Sequence, residues 1–232
     1  MNKKGIPSFS SVLNNGKNAI DVADFEQLVE ETGALILDTR NAADFSKGFV
    51  PQSINIGISG DFAPWVGALI ANVNQPIVLV TDFGKEEETV TRLSRVGFDA
   101  VLGHLKGGFE AWKSAGFDVD TVHRITAAQF ENEVKIGESK IIDIRKESEY
   151  EAEHIEDAYS KPLAYIIDWV KDIQPNEHFF IHFAGGYRSM IAASILQARG
   201  YRNFSEIEGG FNAIAKTNIP KTDFMCASKV LK

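Results

Sequence analysis

One pattern occurs twice in this chain of 232 residues. Residues 20–26 return as residues 125–131, and residues 35–40, an apolar run that ends in charged residues, return as residues 140–145. Both matches lie about 105 positions apart, and a unit of about 100 residues is long enough to form a domain with its own core. The repeat therefore predicts two copies of one domain in tandem.

Each repeat contains the same order of predicted elements. A short amphipathic helix precedes an apolar strand, and a later apolar strand runs into a turn and a second helix. Gly97 and Gly200 follow these second helices, where a C-cap glycine is typical. Strands that alternate with helices predict α/β domains, each with a mostly parallel sheet flanked by helices. The predicted helices span residues 21–30 and 86–96 in the first repeat and residues 126–134 and 189–199 in the second.

The repeat also sets the expected domain boundaries. We place the first domain at residues 20–118 and the second at residues 119–232, which includes a C-terminal tail. Residues 1–19 are rich in Asn, Ser, Gly and Lys and show little periodicity, so we expect them to form an N-terminal lead or linker.

Composition excludes several classes of function. A net charge of -8 disfavours nucleic acid and anionic membranes as partners, because both repel an acidic protein. A single cysteine cannot form an intramolecular disulfide, and the five histidines are scattered without metal-ligand spacing, so we expect neither a metal nor another cofactor. No apolar run approaches the roughly 18 residues of a membrane span. A cytoplasmic protein is therefore expected.

The candidate site is a glycine-containing loop between a predicted strand and a predicted helix of the second repeat. Its glycines allow successive backbone N–H groups to converge, and Arg188 adds a cation, so the loop is a candidate anion-binding site. The alternative is a turn in which Ser189 only caps the helix. The loop comprises Phe183, Ala184, Gly185, Gly186, Tyr187, Arg188 and Ser189.

These motifs resemble the rhodanese family of sulfurtransferases over about residues 20–216. The shared features are an Asp-x-Arg after a strand, a loop that ends before a helix, and a Gly-Gly-Phe near the end of each repeat. They lie at residues 143–145, 186–189 and 208–211 in the second repeat and at residues 38–40 and 107–112 in the first. The resemblance implies tandem rhodanese domains, and a loop thiolate that takes sulfur from a donor such as thiosulfate and carries it as a persulfide.

A narrower resemblance suggests a partner. Residues 62–67 and 86–93 are similar to the paired rhodanese module that follows the metal-dependent persulfide dioxygenase domain in bacterial fusion proteins. That metallo-β-lactamase-like domain does not occur in this sequence, so we expect the module to stand alone. The resemblance implies a separately encoded persulfide dioxygenase or a sulfur-carrier protein as partner, and thiosulfate or sulfate as the small anion.

The second repeat departs from the family at the residue that matters most. In the family, the loop opens with cysteine and closes with arginine; here Arg188 closes the loop and Phe183 opens it. A phenyl ring has no lone pair for attack on sulfur and cannot carry a persulfide. We therefore expect a binding module, a pseudoenzyme of sulfur metabolism without sulfur-transfer activity of its own. Phe183 is also expected to be the last core residue of its strand.

The first repeat departs further, and we interpret it as scaffold. Its turn is followed by three glutamates, residues 86–88, which satisfy the positive end of the helix dipole and weaken attraction for an anion. Thr81 or Asp82 as a substitute nucleophile lacks a visible base. We interpret Asp38, Arg40, Asp143 and Arg145 as ion pairs or turn anchors, and His154 as a residue that stabilises a turn.

Two enzymatic alternatives stay open. Cys226, in the tail, or a cysteine of another chain would supply the missing thiol of an active sulfurtransferase, although nothing near Cys226 in the sequence lowers its pKa. Phosphatase chemistry, known on the same fold, is disfavoured because it needs the same missing cysteine and a loop one residue longer.

Overall fold

A computed structural model of the chain describes residues 8–174 and 176–225. The chain divides into two compact units, with the division between Thr121 and Val122. Each unit contains one five-stranded, fully parallel sheet with helices around it. Two tandem α/β domains were predicted from the repeat, and this fold class is confirmed.

The first unit contains a sheet with the strand order β1-β5-β4-β2-β3. Its strands are β1 (Ala19–Ile20), β2 (Leu35–Asp38), β3 (Ile54–Asn55), β4 (Ile77–Val80) and β5 (Val101–Leu105). Its helices are α1 (Phe9–Gly16), α2 (Val22–Thr32), α3 (Ala42–Lys47), α4 (Phe62–Leu69), α5 (Glu86–Ser94) and α6 (Gly108–Ser114). All four residues of β4 are buried, because helices cover both faces of the central strands.

The second unit repeats this order as β6-β10-β9-β7-β8. Its strands are β6 (Arg124–Ile125), β7 (Lys140–Asp143), β8 (Tyr159–Ser160), β9 (Phe179–His182) and β10 (Phe204–Ile207). Its α-helices are α7 (Ala127–Glu133), α8 (Glu147–Ala152), α9 (Ile166–Trp169), α10 (Gly186–Ala198) and α11 (Gly210–Ile214), and short 3-10 turns at Leu163–Tyr165 and Val170–Asp172 flank α9.

Strand register shows which residues of the two repeats correspond. Asp38 of β2 is aligned with Val80 of β4, and Asp143 of β7 is aligned with His182 of β9. Thr81 is the first residue after β4, and Phe183 is the first residue after β9. The two residues therefore occupy equivalent positions at the carboxyl edge of their sheets. In open parallel sheets this edge is where ligands bind.

Part of the expected N-terminal lead is structured. Residues 9–16 form α1, which begins after the N-cap Ser8 and packs on α5 and β5. Val12 is buried, and a Cβ at Gly16 would collide with Val90, so glycine is needed for the close approach of the helix. The expectation that residues 1–19 are only a lead is therefore wrong for this helix, whose stability comes from packing on distant residues.

The predicted helix boundaries agree to within a few residues, with one difference near the site. Helix α10 begins at Gly186, three residues before the predicted start at Ser189. Gly97 and Gly200 have positive φ angles of 89° and 87°, as expected for glycines that end helices. None of the helices within residues 8–174 and 176–225 combines the length and apolar character that crossing a bilayer requires.

Candidate functional site

The predicted loop of the second domain is a tight turn. Strand β9 ends at His182, and α10 begins at Gly186 with Gly185 as its N-cap, which offers no side chain for capping. Only residues 183–185 therefore separate the strand from the helix. The helix has 13 residues, and its first turn contains no acidic residue.

Phe183 and Arg188 contact each other directly. Phe183 is 4% exposed, as predicted for the last core residue of its strand. The guanidinium of Arg188 lies over the phenyl ring, with its central carbon 3.7 Å from the ring centre, a cation–π geometry. The ring therefore fills space beneath the cation that closes the loop.

The turn is anchored to α11 through its backbone. The N–H groups of Phe211 and Asn212 donate to the carbonyl oxygens of Phe183 and Ala184, at 2.6 and 3.1 Å. Gly210, at φ 55°, lies against the Phe183 carbonyl, and a Cβ there would collide with it. The Gly-Gly-Phe motif thus fixes the backbone of the loop through hydrogen bonds and a close glycine contact.

Ser189 lies inside α10, so the alternative that it caps the helix is wrong. Its side chain is fully buried, lies 3.3 and 3.2 Å from the carbonyl oxygens of Gly185 and Gly186, and donates to the carboxylate of Glu206. Glu206, also fully buried, forms a 2.6 Å ion pair with Arg124. The hydroxyl therefore points into the domain, away from a ligand on the loop.

The Arg124–Glu206–Ser189 network was missed by sequence reasoning. A signal was present, because Glu206 lies in a strand of a parallel sheet, where a buried charge needs a partner. The aligned residues of β6 and β10 include Arg124 and Glu206, which supplies that partner.

The Asp-x-Arg motifs form buried ion pairs, as predicted. The Nε and Nη2 atoms of Arg145 donate to both carboxylate oxygens of Asp143, with the shortest distance 2.6 Å, and Nη2 also donates to the Glu153 carbonyl at 2.7 Å. The guanidinium stacks 3.8 Å above the Phe211 ring. Each Arg therefore joins the carboxyl edge of its sheet to the Gly-Gly-Phe helix.

The first domain repeats this arrangement. Arg40 binds Asp38 at 2.6 Å and the Gly48 carbonyl at 2.9 Å, and it lies 4.4 Å from the centre of the Phe109 ring. Burial raises the pKa of Asp38, although the adjacent Arg40 opposes this shift. Asp38 and Arg40 thus form a buried ion pair at the end of their strand, so the structural interpretation of this motif is confirmed.

His182 lies beneath the loop at the end of β9. It is fully buried, and its Nε2 atom is 3.9 Å from a carboxylate oxygen of Asp143. Burial lowers the pKa of His182, and the nearby Asp143 carboxylate only partly opposes this shift. The neutral imidazole is therefore the form that the folded domain favours.

His154 lies in the turn that follows α8. Its Nδ1 atom is 2.7 Å from the Tyr150 carbonyl, and its ring stacks on the Tyr150 ring at 3.7 Å between centres. The predicted stabilising role in a turn is confirmed.

The equivalent turn of the first domain borders a cavity of about 300 Å³. Thr81, the counterpart of Phe183, is buried, and its hydroxyl makes no hydrogen bond to the described residues. No base therefore contacts Thr81 in this part of the chain, which argues against a substitute nucleophile. Cys226 lies outside the described residues. Within residues 8–174 and 176–225, no three His, Cys, Asp or Glu side chains gather as metal ligands would.

Comparisons with known proteins agree with these motifs. The model of the rhodanese-like domain family matches residues 21–115 and again residues 126–217. The two matches cover most of the chain, so it belongs to the rhodanese-like family, with two domains in tandem.

Curated relatives match one domain at a time. The uncharacterized protein YibN of Escherichia coli K12 is 30% identical over 108 residues, which are 46% of this chain and 74% of YibN. Thiosulfate sulfurtransferase GlpE of Pseudomonas savastanoi is 28% identical over 89 residues, 38% of this chain and 80% of GlpE. The homologues thus include thiosulfate sulfurtransferases.

Two solved structures are similar to parts of this chain. A rhodanese-like domain protein of Staphylococcus aureus is 29% identical, with a TM-score of 0.38 over 42% of this chain and 96% of its own. A thiosulfate sulfurtransferase of Pseudomonas aeruginosa is 18% identical, with a TM-score of 0.40 over 90% of this chain and 44% of its own.

Proposed function

We propose that this protein acts in sulfur metabolism as a binding module that lacks sulfur-transfer activity of its own. Its ligand is a small anion such as thiosulfate or sulfate, or a persulfide-bearing group, held at residues 183–189. One observation carries the proposal: Phe183 is buried at the opening position of the loop, with its ring under the Arg188 guanidinium.

The chemistry of transfer explains why this residue decides the activity. A thiolate attacks the outer sulfur of thiosulfate, a new S–S bond forms, and sulfite leaves with the electron pair of the broken bond. A benzyl side chain offers no lone pair for the attack and no atom for the persulfide. The second domain therefore lacks the covalent step whatever its affinity for thiosulfate.

Three features support anion binding at the same loop. Helix α10 starts at a glycine N-cap that provides no side-chain cap, and the positive end of the helix dipole favours an anion near its first turn. Its first turn has no carboxylate, unlike that of α5, which begins with Glu86, Glu87 and Glu88. Arg188 adds a positive charge at the end of the loop.

A transfer assay tests the missing chemistry. With thiosulfate as donor and cyanide as acceptor, we expect no thiocyanate above background from the wild-type protein and measurable turnover from Phe183→Cys. Phe183→Ser removes the ring without adding a thiol and should remain inactive. Thr81→Cys places the thiol at the equivalent position of the first domain. The three glutamates in the first turn of α5 repel thiosulfate there, so this variant should also remain inactive. Wild-type turnover at a rate typical of the family contradicts the proposal.

A binding measurement tests the loop separately. Titration of the ¹⁵N-labelled protein with thiosulfate should shift the amide signals of residues 185–188, and Arg188→Met should weaken the binding. Sulfate should compete. If the amide signals of the loop do not shift at millimolar thiosulfate, the proposed anion binding at this loop is wrong. This conclusion holds whether or not the transfer assay detects activity.

An active sulfurtransferase is the alternative, because Cys226 is the only thiol of the chain. Only this alternative predicts that wild-type protein transfers sulfur and that Cys226→Ser abolishes the transfer. Activity that survives Cys226→Ser requires a cysteine of another chain.

A partner is proposed from the resemblance of residues 62–67 and 86–93 to the module of the dioxygenase fusion proteins. The partner class is a separately encoded persulfide dioxygenase or a sulfur-carrier protein. Calorimetric titration of this protein with a persulfide-charged carrier should release heat, and Arg188→Glu should weaken the binding. Equal affinity for the uncharged carrier contradicts recognition of the persulfide.

A further inference from the structure

The first domain has an apolar groove that shares no lining residue with the cavity beside Thr81. Its base is formed by buried side chains of the domain core, among them Phe25 and Trp112. Val29 and Phe117 also line the groove and are only partly buried, so apolar surface is exposed there. The volume of about 410 Å³ lies within the usual range for binding pockets.

The aromatic wall of the groove is fixed by contacts within the domain. The indole Nε1 of Trp112 donates to the Asp118 carbonyl at 2.7 Å, and the Phe117 ring packs on the indole with 4.6 Å between ring centres. Phe25 also contacts the indole, edge to face, at 6.3 Å between centres. Side chains that are already fixed lose little conformational entropy on binding, so this wall is preformed for an apolar group.

Three exposed carboxylates border the groove, and none of its lining residues is basic. They are Glu26 and Glu30 of α2 and Asp118, which follows α6. None of the three side chains has an ion pair or a hydrogen bond within residues 8–174 and 176–225. Glu26 and Glu30 lie one helical turn apart, where like charges repel each other. A cation bound at this rim therefore relieves a repulsion that is present in the free protein.

The second domain closes the equivalent place with its own chain. Glu131, the counterpart of Glu26, accepts hydrogen bonds from the backbone N–H and the side-chain amide of Asn218, at 2.8 and 3.0 Å. The next residue, Ile219, is 3% exposed and belongs to the core of that domain. Of the two copies, the first thus leaves its carboxylates and its apolar surface open to an external group.

We propose that this groove binds a basic segment of a partner protein, in which an apolar side chain is flanked by lysine or arginine. The apolar side chain leaves water when it enters the groove, and this burial supplies most of the affinity. The flanking cations meet the carboxylates of the rim, which adds specificity and accelerates association. Because these carboxylates lie on two different elements, a segment with several cations matches them better than one small cation. The net charge of -8 attracts the same kind of partner at long range.

The test begins with a selection of random displayed peptides on the intact protein. We expect the selected peptides to combine a large aliphatic or aromatic residue with adjacent lysine or arginine. A synthetic copy of the most frequent peptide should shift the amide signals of residues 25–30 and 116–118 in the ¹⁵N-labelled protein. Replacement of its cations by glutamine should weaken binding at least about tenfold, and added salt should weaken binding of the original peptide.

Variants of the protein locate the site. Glu26→Gln combined with Glu30→Lys, which copies Lys135 of the second domain, should weaken binding by about tenfold or more. Val29→Ser should weaken it several-fold, because it removes apolar surface from the groove. Glu31→Lys is the matched control, since it makes the same charge change as Glu30→Lys on the same helix but outside the groove. Its affinity should stay within about twofold of the wild type.

Two results contradict binding of such a segment. One is a selection that does not enrich basic residues, and the other is a selected peptide that leaves the signals of residues 25–30 and 116–118 unshifted. Neither result bears on the loop at residues 183–189, so this inference and the proposed function fail independently.

Two further results assign the groove to a different occupant and also overturn the proposal. A dimer in sedimentation that the double variant dissociates identifies a second copy of this chain. The first seven residues of the chain contain Lys3, Lys4 and Ile6, a basic and apolar combination of their own. If Lys3→Glu combined with Lys4→Glu raises the affinity for the peptide, this segment is the occupant; we expect no change.

Discussion

Gly210 lies so close to the carbonyl oxygen of Phe183 that no Cβ fits between them. The backbone of the next residue, Phe211, donates to the same oxygen at 2.6 Å. The turn that opens the candidate site is therefore held by a contact that only glycine allows. This contact explains why a Gly-Gly-Phe motif, far from the loop in sequence, belongs to the site.

Gly210→Ala should accordingly destabilise the second domain. Positive φ alone costs a non-glycine residue about 1–3 kcal/mol, and the collision with Phe183 adds roughly 1–3 kcal/mol. Gly108→Ala is the matched control, since it also has a positive φ, 62°, but its Cβ would be 3.2 Å from the Thr81 carbonyl. Amide hydrogen exchange of β9 measures the loss of stability in Gly210→Ala, and exchange of β4 measures it in Gly108→Ala. Equal losses would show that the collision with the Phe183 carbonyl adds nothing to the cost of the positive φ angle.

Arg145→Ala should strongly lower the free energy of unfolding of the second domain. It leaves the buried Asp143 carboxylate without its cation, and breaking a buried pair in this way costs about 3–5 kcal/mol. Asp143→Ala combined with Arg145→Ala should cost less than the sum of the single changes, because no charge is left buried. Urea unfolding of all four proteins measures this coupling; strictly additive costs would mean that the two side chains act separately.

His182 predicts a loss of stability at mildly acidic pH. Its pKa in the folded domain lies below the ordinary value of 6.5, so below about pH 6.5 the unfolded chain takes up a proton that the folded chain does not. The free energy of unfolding should therefore fall as the pH drops from about 7.5, and level off below the folded-state pKa. His182→Val, which copies Val80 of the first domain, should reduce this dependence.

Burial lowers the pKa of His178 as well, so some dependence should persist in His182→Val. Unfolding free energies of both proteins between about pH 8 and pH 5 make the comparison. An identical slope in the two proteins would show that His182 does not titrate differently on folding.

Thr126 and Asp21 test helix capping at equivalent positions of the repeat. Thr126 forms a capping box with Gln129 at the start of α7, whereas Asp21 precedes α2 without a side-chain cap bond. Thr126→Ala should destabilise the second domain by about 1 kcal/mol. Asp21→Ala removes only an exposed contact with Lys106, and thermal unfolding should show little change. A larger effect of Asp21→Ala would contradict this assignment.

Much of the fold was predictable because the same sequence pattern occurs in both repeats. Each strand, helix and Asp-x-Arg pair predicted in one repeat has a counterpart in the other. Such agreement seldom arises by chance, so it strengthens the prediction of each element. Helix α1 has no such second copy, and its Asn, Ser and Gly residues are typical of a loop. Its packing depends on Gly16 against Val90, a contact between residues far apart in sequence.

Less of the candidate site was predictable. The family motif indicates which residues form the loop, but side-chain direction depends on the neighbouring strands. The sequence left open whether Ser189 caps the helix, and the structure shows that it donates to the buried Glu206 instead. Thr81 is buried, and its hydroxyl has no hydrogen-bond partner among the described residues. Such features depend on which side chains meet across the sheet, and sequence spacing does not encode them.

The paired arginines Arg40 and Arg145 have a consequence for protein engineering. Each arginine binds the aspartate at a strand end and stacks on the phenylalanine of the Gly-Gly-Phe motif in its own domain. These contacts involve no side chain of the turn that follows β4 or β9. Substitution of loop side chains other than the buried Phe183 and Ser189 should therefore leave these arginine contacts in place. A single chain of this kind contains two copies of one framework, and the loop of one copy can be redesigned while the other copy serves as an internal reference.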